Sequence, residues 1–297
     1  MVLPPFGNCA NLAAMAEKST PRIAIITGFT SGIGFETALG LARLGWRVVG
    51  IGRSAAKGRQ VSEIIRAQTG NPSVSFHTAD LASVADCRAL GAQLCRLYPA
   101  IDLLINNAGG IFNKRQISAE GFEHTFALNH LGYFVLTQAL RPALEAAPRA
   151  RIVSVASIAH YGRALELDDL QAQRGRYSGW RQYQHTKLMN VMFTRELAWR
   201  LPGHVTATCL HPGFVATRFG HNNSTLWRFL MRLLMLTAIK PQQAAQGVLH
   251  LALAPELDGI SGAYFDRGRP AYPSKEAQRD ELARALWDMT ERLLAAV

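Results

Sequence analysis

Short apolar runs alternate with longer amphipathic stretches along most of this chain. The runs are "RIAIITG" (22–28), "WRVVGIG" (46–52), 74–78, 101–106, 151–156, 205–210 and 262–265. Each is brief, rich in aliphatic residues and bounded by polar or glycine positions, as a strand buried on both faces should be. Helical spacing between them predicts helices over 34–44, 58–68, 83–97, 120–140, 183–201 and 241–254. Such alternation predicts an α/β protein, with one doubly wound parallel sheet covered by helices on both faces. No Pro- or Ser-rich linker and no internal repeat divides residues 21–297, so a single domain is expected there, after a loosely ordered extension over 1–20. Two segments break the rhythm. Residues 158–182 are polar and irregular, and 213–240 contain the nearly all-apolar "LWRFLMRLLML".

Composition narrows the class. With 297 residues, 48% hydrophobic and 18% charged, the chain can bury a sizeable core and is not expected to be disordered. The formal net charge is +11, but the basic residues are scattered and no stripe of basic and aromatic residues appears. Nucleic acid is therefore not an expected partner, whereas an anionic cofactor suits the surplus. Cys9, Cys87, Cys95 and Cys209 show no C-x-x-C spacing. The first twenty residues have neither a basic start nor a continuous apolar core, so they are not expected to be a signal or an anchor. Reduced thiols and a cytoplasmic location follow as expectations. His124, His130, His160, His185 and His211 lie near the motifs below without metal-ligand spacing, so no metal is expected. His160 and His185 are expected in supporting or surface roles, with the pocket wall as the alternative.

"TGFTSGIG" (27–34) lies between the first strand and the first helix. Gly28, Gly32 and Gly34 there let the backbone turn tightly and approach a pyrophosphate, which a helix N-terminus favours. The spacing G-x-x-x-G-x-G departs from the usual G-x-G-x-x-G. Past the second strand, Arg53 stands where an NAD-binding site usually places an acid. A guanidinium there pairs with a 2′-phosphate, and Ser54 and Lys57 can assist, so NADP(H) is expected over NAD(H).

Further motifs follow in order: "HTADL" (77–81), "NNAG" (106–109), "FALNHLG" (126–132), "VSVAS" (153–157), "YQHTK" (183–187) and "HPGFVAT" (211–217). Together they resemble the short-chain dehydrogenase/reductase family over roughly residues 21–270, and so imply its Rossmann-type fold. "SIAHYGR", "YQHTKLMNVMFTRELAWRL" and the long interval from Ser157 to Tyr183 resemble the retinol dehydrogenase branch. The resemblance implies a catalytic set of Asn129, Ser157, Tyr183 and Lys187. It implies cofactor contacts from Thr27, Gly28, Ser31, Gly32, Ile33, Gly34, Asp80, Leu81, Asn107, Ala108, Gly109, Tyr183, Lys187, Pro212, Gly213 and Thr217, with Arg53 beside them. Asn106 opens the N-N-A-G segment. Ala156 stands where a second serine is frequent, and Gly110 extends the N-N-A-G segment. The membrane anchor of several animal retinol dehydrogenases is not expected here.

The implied reaction moves a hydride between nicotinamide and a carbinol carbon, while the protein manages one proton. A free tyrosine titrates near ~10, and a nearby cation lowers that value. Four residues along a helix rise roughly 6 Å, which places Lys187 on the same face as Tyr183. Lys187 is thus expected to tune Tyr183 and, by resemblance, to hold the nicotinamide ribose. Ser157 would orient the substrate oxygen, and Asn129 would hold a relay water. Residues 226–236 are too short to span a bilayer and are expected to form a lid over a lipophilic ketone, aldehyde or alcohol. Peripheral membrane contact and a homo-oligomer interface are the alternatives for that stretch. A dinucleotide-binding regulator without turnover is the alternative for the whole chain.

Overall fold

A computed structural model describes residues 21–214 and 239–297. The extension 1–20, Thr217 and most of the segment 213–240 lie outside the described residues. The seven expected strands are present: β1 (Ile23–Thr27), β2 (Arg47–Gly52), β3 (Val74–Thr78), β4 (Leu103–Asn106), β5 (Ala150–Val155), β6 (Val205–His211) and β7 (Tyr264–Asp266). An eighth, β8 (Arg269–Ala271), completes one sheet of order β3-β2-β1-β4-β5-β6-β7-β8. All neighbours are parallel except β7 and β8. The order reverses between β1 and β4, the position at which open α/β sheets bind ligands.

Alternate strand positions feed two apolar layers, as the period of two requires. Ile25, Val49, Ile51 and Leu104 face one layer, and Ala24, Ile26, Val48, Leu103 and Ile105 face the other. The helices are α1 (Gly32–Arg43), α2 (Ala55–Thr69), α3 (Val84–Leu97), α4 (His124–Phe126), α5 (Gly132–Glu145), α6 (Gly179–Arg200), α7 (Pro241–Leu253) and α8 (Asp280–Ala295). Their starts are set locally. Ser54, Ser83 and Ser178 cap α2, α3 and α6 by accepting from Lys57 N, Asp86 N and Arg181 N.

Three elements depart from expectation. The helix expected from 120 begins at His124, because Glu123 caps it through Thr125 N (2.9 Å) and Phe126 N (2.8 Å). Between α4 and α5 the chain forms a π-helical turn, Ala127–Leu131, which contains Asn129. At the far end, β7 and β8 form an antiparallel hairpin through Arg267 (φ 50°) and Gly268 (φ 81°), the two left-handed positions of a type I′ turn. The chain then runs into α8, whose Trp287 packs against Phe134 and Phe193 at centroid distances of 4.6 and 5.8 Å.

Candidate active site

The glycine loop and the N-N-A-G segment are bonded to each other at the switch between β1 and β4. Thr27 Oγ1 donates to Ile105 O (3.2 Å) and accepts from Asn107 N (2.8 Å) and Ala108 N (2.9 Å). Asn107 Nδ2 donates to Thr27 O at 2.8 Å. The contact is so close that a Cβ on Gly34 would lie 2.3 Å from Gly28 O, and one on Gly28 would lie 2.6 Å from Asn107 Nδ2. Ser31 opens α1 in an extended conformation without a side-chain cap bond, and the first turn of α1, with Gly32, Ile33 and Gly34, carries no acid. This arrangement fits an anionic diphosphate, which a helix N-terminus attracts.

Arg53 is exposed at the bend between β2 and α2. The first turn of α2 holds Lys57 and no acidic residue. Asp80 forms a turn of its own, its Oδ1 accepting from Ala82 N at 3.1 Å, with Leu81 buried beside it. Arg53 and Asp80 both reach the His124 imidazole electrostatically, so the two lie at one end of the sheet. Burial is the main cause that lowers the His124 pKa. Asn106 is buried and donates from Nδ2 to Thr137 Oγ1 at 2.9 Å, steadying β4 against α5.

Asn129, Ser157, Tyr183 and Lys187 converge on the same edge. Gly109 marks the junction: a Cβ there would lie 3.1 Å from Asn129 Oδ1 and 3.7 Å from Lys187 Nζ. Asn129 Oδ1 accepts from Gly110 N (2.8 Å), and its Nδ2 donates to Gly110 O (2.9 Å) and Thr186 Oγ1 (3.1 Å). Thr186 in turn donates to Tyr183 O at 2.9 Å. Ser157 follows β5, and its Oγ accepts from Ala159 N at 3.2 Å. The Ser157 side chain also acts on the Tyr183 phenol, in the direction that favours the phenolate. Burial outweighs that influence and pushes Tyr183 up to about 12. Lys187, lowered by burial to about 7, donates to Val155 O at 2.8 Å and lies 5.7 Å from the ring centroids of both Tyr183 and Tyr133. The expected lowering of Tyr183 by Lys187 is thus not the dominant effect here, because the desolvation of a buried phenol acts more strongly.

Several partners in this site carry no motif of their own. Glu123 is fully buried, and beyond capping α4 its carboxylate accepts from Tyr177 Oη (2.9 Å) and Gln182 Nε2 (3.0 Å). It joins the helix leading to Asn129, the irregular segment 158–178 and the residue preceding Tyr183. Its one sequence signal is an acid immediately before a helix start. Thr186, inside "YQHTK", couples Asn129 to the Tyr183 backbone. His185 Nε2 accepts from Glu166 N at 3.1 Å, which gives it a supporting role. Pro212 and Gly213 are buried at the end of β6. The flanks of the undescribed stretch meet there, with Ile239 N donating to Phe214 O at 2.8 Å.

Residues 22–226 match the family model described as short chain dehydrogenase. The chain belongs to the short-chain dehydrogenase/reductase family. This dehydrogenase is 36% identical over 294 residues to mouse retinol dehydrogenase 13, covering 97% of this chain and 87% of that protein. It is 38% identical over 277 residues to mouse retinol dehydrogenase 12, covering 92% and 86%, and 36% identical over 283 residues to mouse polyprenol dehydrogenase, covering 93% and 84%. Among solved structures, a protein from Mycobacterium Paratuberculosis superposes with a TM-score of 0.75 at 29% identity, covering 92% of this chain and 93% of that one. The Pseudomonas aeruginosa RhlG/NADP complex gives 0.66 at 25% identity, covering 82% and 94%. The dehydrogenase is therefore retinol dehydrogenase-like, an oxidoreductase of a family that uses a nicotinamide cofactor.

Proposed function

We propose that the protein is an NADP(H)-dependent oxidoreductase that interconverts a lipophilic ketone or aldehyde and its alcohol, with Tyr183 as the acid/base. The observation that carries this reading is the convergence of Ser157, Tyr183, Lys187 and Asn129 at the carboxyl ends of β4 and β5. The bound cofactor supplies or accepts the hydride. The chain does the rest. The Ser157 hydroxyl holds the substrate oxygen, and Tyr183 gives that oxygen a proton in reduction or takes one in oxidation. The Lys187 ammonium, 5.7 Å from the Tyr183 ring centroid, stabilises the phenolate left behind. Asn129 fixes the Gly110 backbone against the Tyr183 helix, and its Oδ1 keeps a second lone pair for a relay water.

NADP(H) is supported by Arg53 and Lys57 at the acid-free start of α2. Two similar solved structures are complexes with NADP and NADPH. A lipophilic substrate is supported by apolar side chains beside the proposed catalytic and cofactor residues. Ile158 is 55% exposed next to Ser157, and Phe214 is 42% exposed next to Gly213. The Trp180 ring stacks on that of Tyr183 at 5.8 Å. The names of the retinol and polyprenol dehydrogenases and the apolar sequence 226–236 point the same way. Free thiols at Cys87, Cys95 and Cys209 support a reducing, cytoplasmic setting. Among the described residues no helix is long and apolar enough to cross a membrane. The test is NADPH consumption across small polar, long-chain and ring-bearing aldehydes and ketones. Turnover should favour the apolar substrates and fall roughly 10²–10⁴-fold in Tyr183→Phe. Faster turnover of the small polar carbonyls would overturn the substrate class, and NADPH binding without consumption of any would leave the regulator.

A further inference from the structure

The segment that follows Ser157 is fastened to the chain beyond β8 at three points. Ser274 N donates to His160 Nε2 at 3.0 Å, Tyr161 Oη donates to Tyr272 O, and Leu165 N donates to Glu276 Oε1 at 3.1 Å. The first contact decides the protonation of His160. A backbone N–H can only donate, so Nε2 presents its lone pair and the proton sits on Nδ1. That Nδ1–H donates to Ser157 O, 2.6 Å away. A single neutral tautomer therefore satisfies both ends of the ring. The imidazole is fully buried, with the rings of Tyr161 and Tyr264 at 4.2 and 5.0 Å. Burial holds its pKa below the usual histidine value, which keeps that tautomer uncharged. The outer anchor is itself braced: Ser274 Oγ accepts from Ala277 N, and Ser274 O accepts from Gln278 N, both at 3.2 Å.

We propose that His160 is a positioning residue, a strut that holds the backbone of Ser157 against residues 272–278 so that the serine hydroxyl meets both Tyr183 and the substrate oxygen. The inference rests on the reading of Ser157 given above. The anchor lies beyond residues 22–226, so it is outside the part of the chain that the family model matches. A misplacement of about 1 Å costs up to about a hundredfold in rate, and the strut acts on that scale.

The experiment is a cycle of His160→Leu, Ser157→Ala and the double variant, with His160→Asn alongside. Each is measured for kcat, carbonyl KM, NADPH affinity by fluorescence and melting temperature. His160→Leu should lower kcat roughly ten- to a hundredfold, with NADPH affinity unchanged within about twofold. The loss should disappear in the Ser157→Ala background, because the strut acts only through that serine. His160→Asn, whose amide N–H stands in for Nδ1–H, should recover most of kcat even where the leucine variant folds poorly. An equal kcat loss in both backgrounds, or a folded His160→Leu with normal kcat, would overturn the proposal. Normal turnover in Ser157→Ala would instead overturn the reading of the site on which it rests.

Discussion

The Lys187 ammonium donates to the carbonyl oxygen of Val155, 2.8 Å away. One bond thus ties the middle of α6 to the last residue of β5, two positions before Ser157. Among the described residues no carboxylate forms a salt bridge with this lysine. The faces of Tyr133 and Tyr183 provide the remaining attraction.

That setting makes a prediction about stability. Lys187 titrates at about 7 in the folded chain, against an ordinary value of 10.5. Between those values the unfolded state binds more protons, so the lysine's contribution becomes less unfavourable as pH rises. Below pH 7 the cost of burying the charge is felt in full. Thermal melts of wild type and Lys187→Met from pH 6 to 10 should show the variant's relative melting temperature falling as pH rises. A constant difference would mean that the lysine is not desolvated as described.

The two directions of the reaction should respond differently to pH. With Tyr183 pushed up to about 12, the free protein keeps its acid through pH 9 but holds little phenolate. The kcat/KM for alcohol oxidation, taken with respect to the oxidised cofactor, reports the free protein. It should rise with pH to about 7, where Lys187 begins to lose the charge that the phenolate needs, and level off above, while the reductive kcat/KM loses nothing to tyrosine ionisation. A rise that continues through pH 9 would show that oxidation does not need the Lys187 charge or that the charge is not lost near 7. Tyr183→Phe should lose roughly 10²–10⁴-fold in turnover and keep NADPH binding.

Arg53 should decide the cofactor. Arg53→Asp places a carboxylate at the start of α2, where it repels a 2′-phosphate and can bond a ribose hydroxyl. The ratio of kcat/KM for NADPH over NADH should fall by about ten- to a hundredfold, as expected from losing one charge-assisted pair worth about 1.5–3 kcal/mol. An unchanged ratio would remove Arg53 from the phosphate site.

Glu123 offers a test of how the site is held together. Each of its oxygens accepts two bonds, Oε1 from Thr125 N and Tyr177 Oη, and Oε2 from Phe126 N and Gln182 Nε2. Glu123→Gln turns one acceptor into a donor facing other donors, at a cost of about 1–3 kcal/mol. Urea melts should show that loss. Glu123→Asp, which keeps the charge, should lose less turnover than Glu123→Gln.

Strand and helix order, the glycine loop and the four converging side chains were legible because each rests on local periodicity or on a motif at a strand end. What was not legible depends on distant contacts. Nothing near Asn129 announces a π turn; the turn accompanies the closure of the Asn129 amide onto Gly110 and Thr186. The Tyr183 pKa depends on burial by the assembled layers, so the i, i+4 spacing to Lys187 alone misjudged its direction. β8 is too short for a periodic signal. The helix Asp280–Ala295 did leave one, in Leu282, Leu286, Met289 and Leu293, which strand–helix alternation does not use because no strand follows it among the described residues.

The β7–β8 hairpin also decides how the sheet ends. An edge strand normally presents free N–H and C=O groups that invite another chain to add on. Here the edge is three residues long, with exposed Arg269 and Pro270, and the proline has no N–H to offer. At the opposite edge, Arg66 Nε already donates to Val74 O at 3.0 Å. Growth of the sheet by strand addition is thereby discouraged on both sides, and copies of this protein that do associate should meet through helices rather than through a continued sheet.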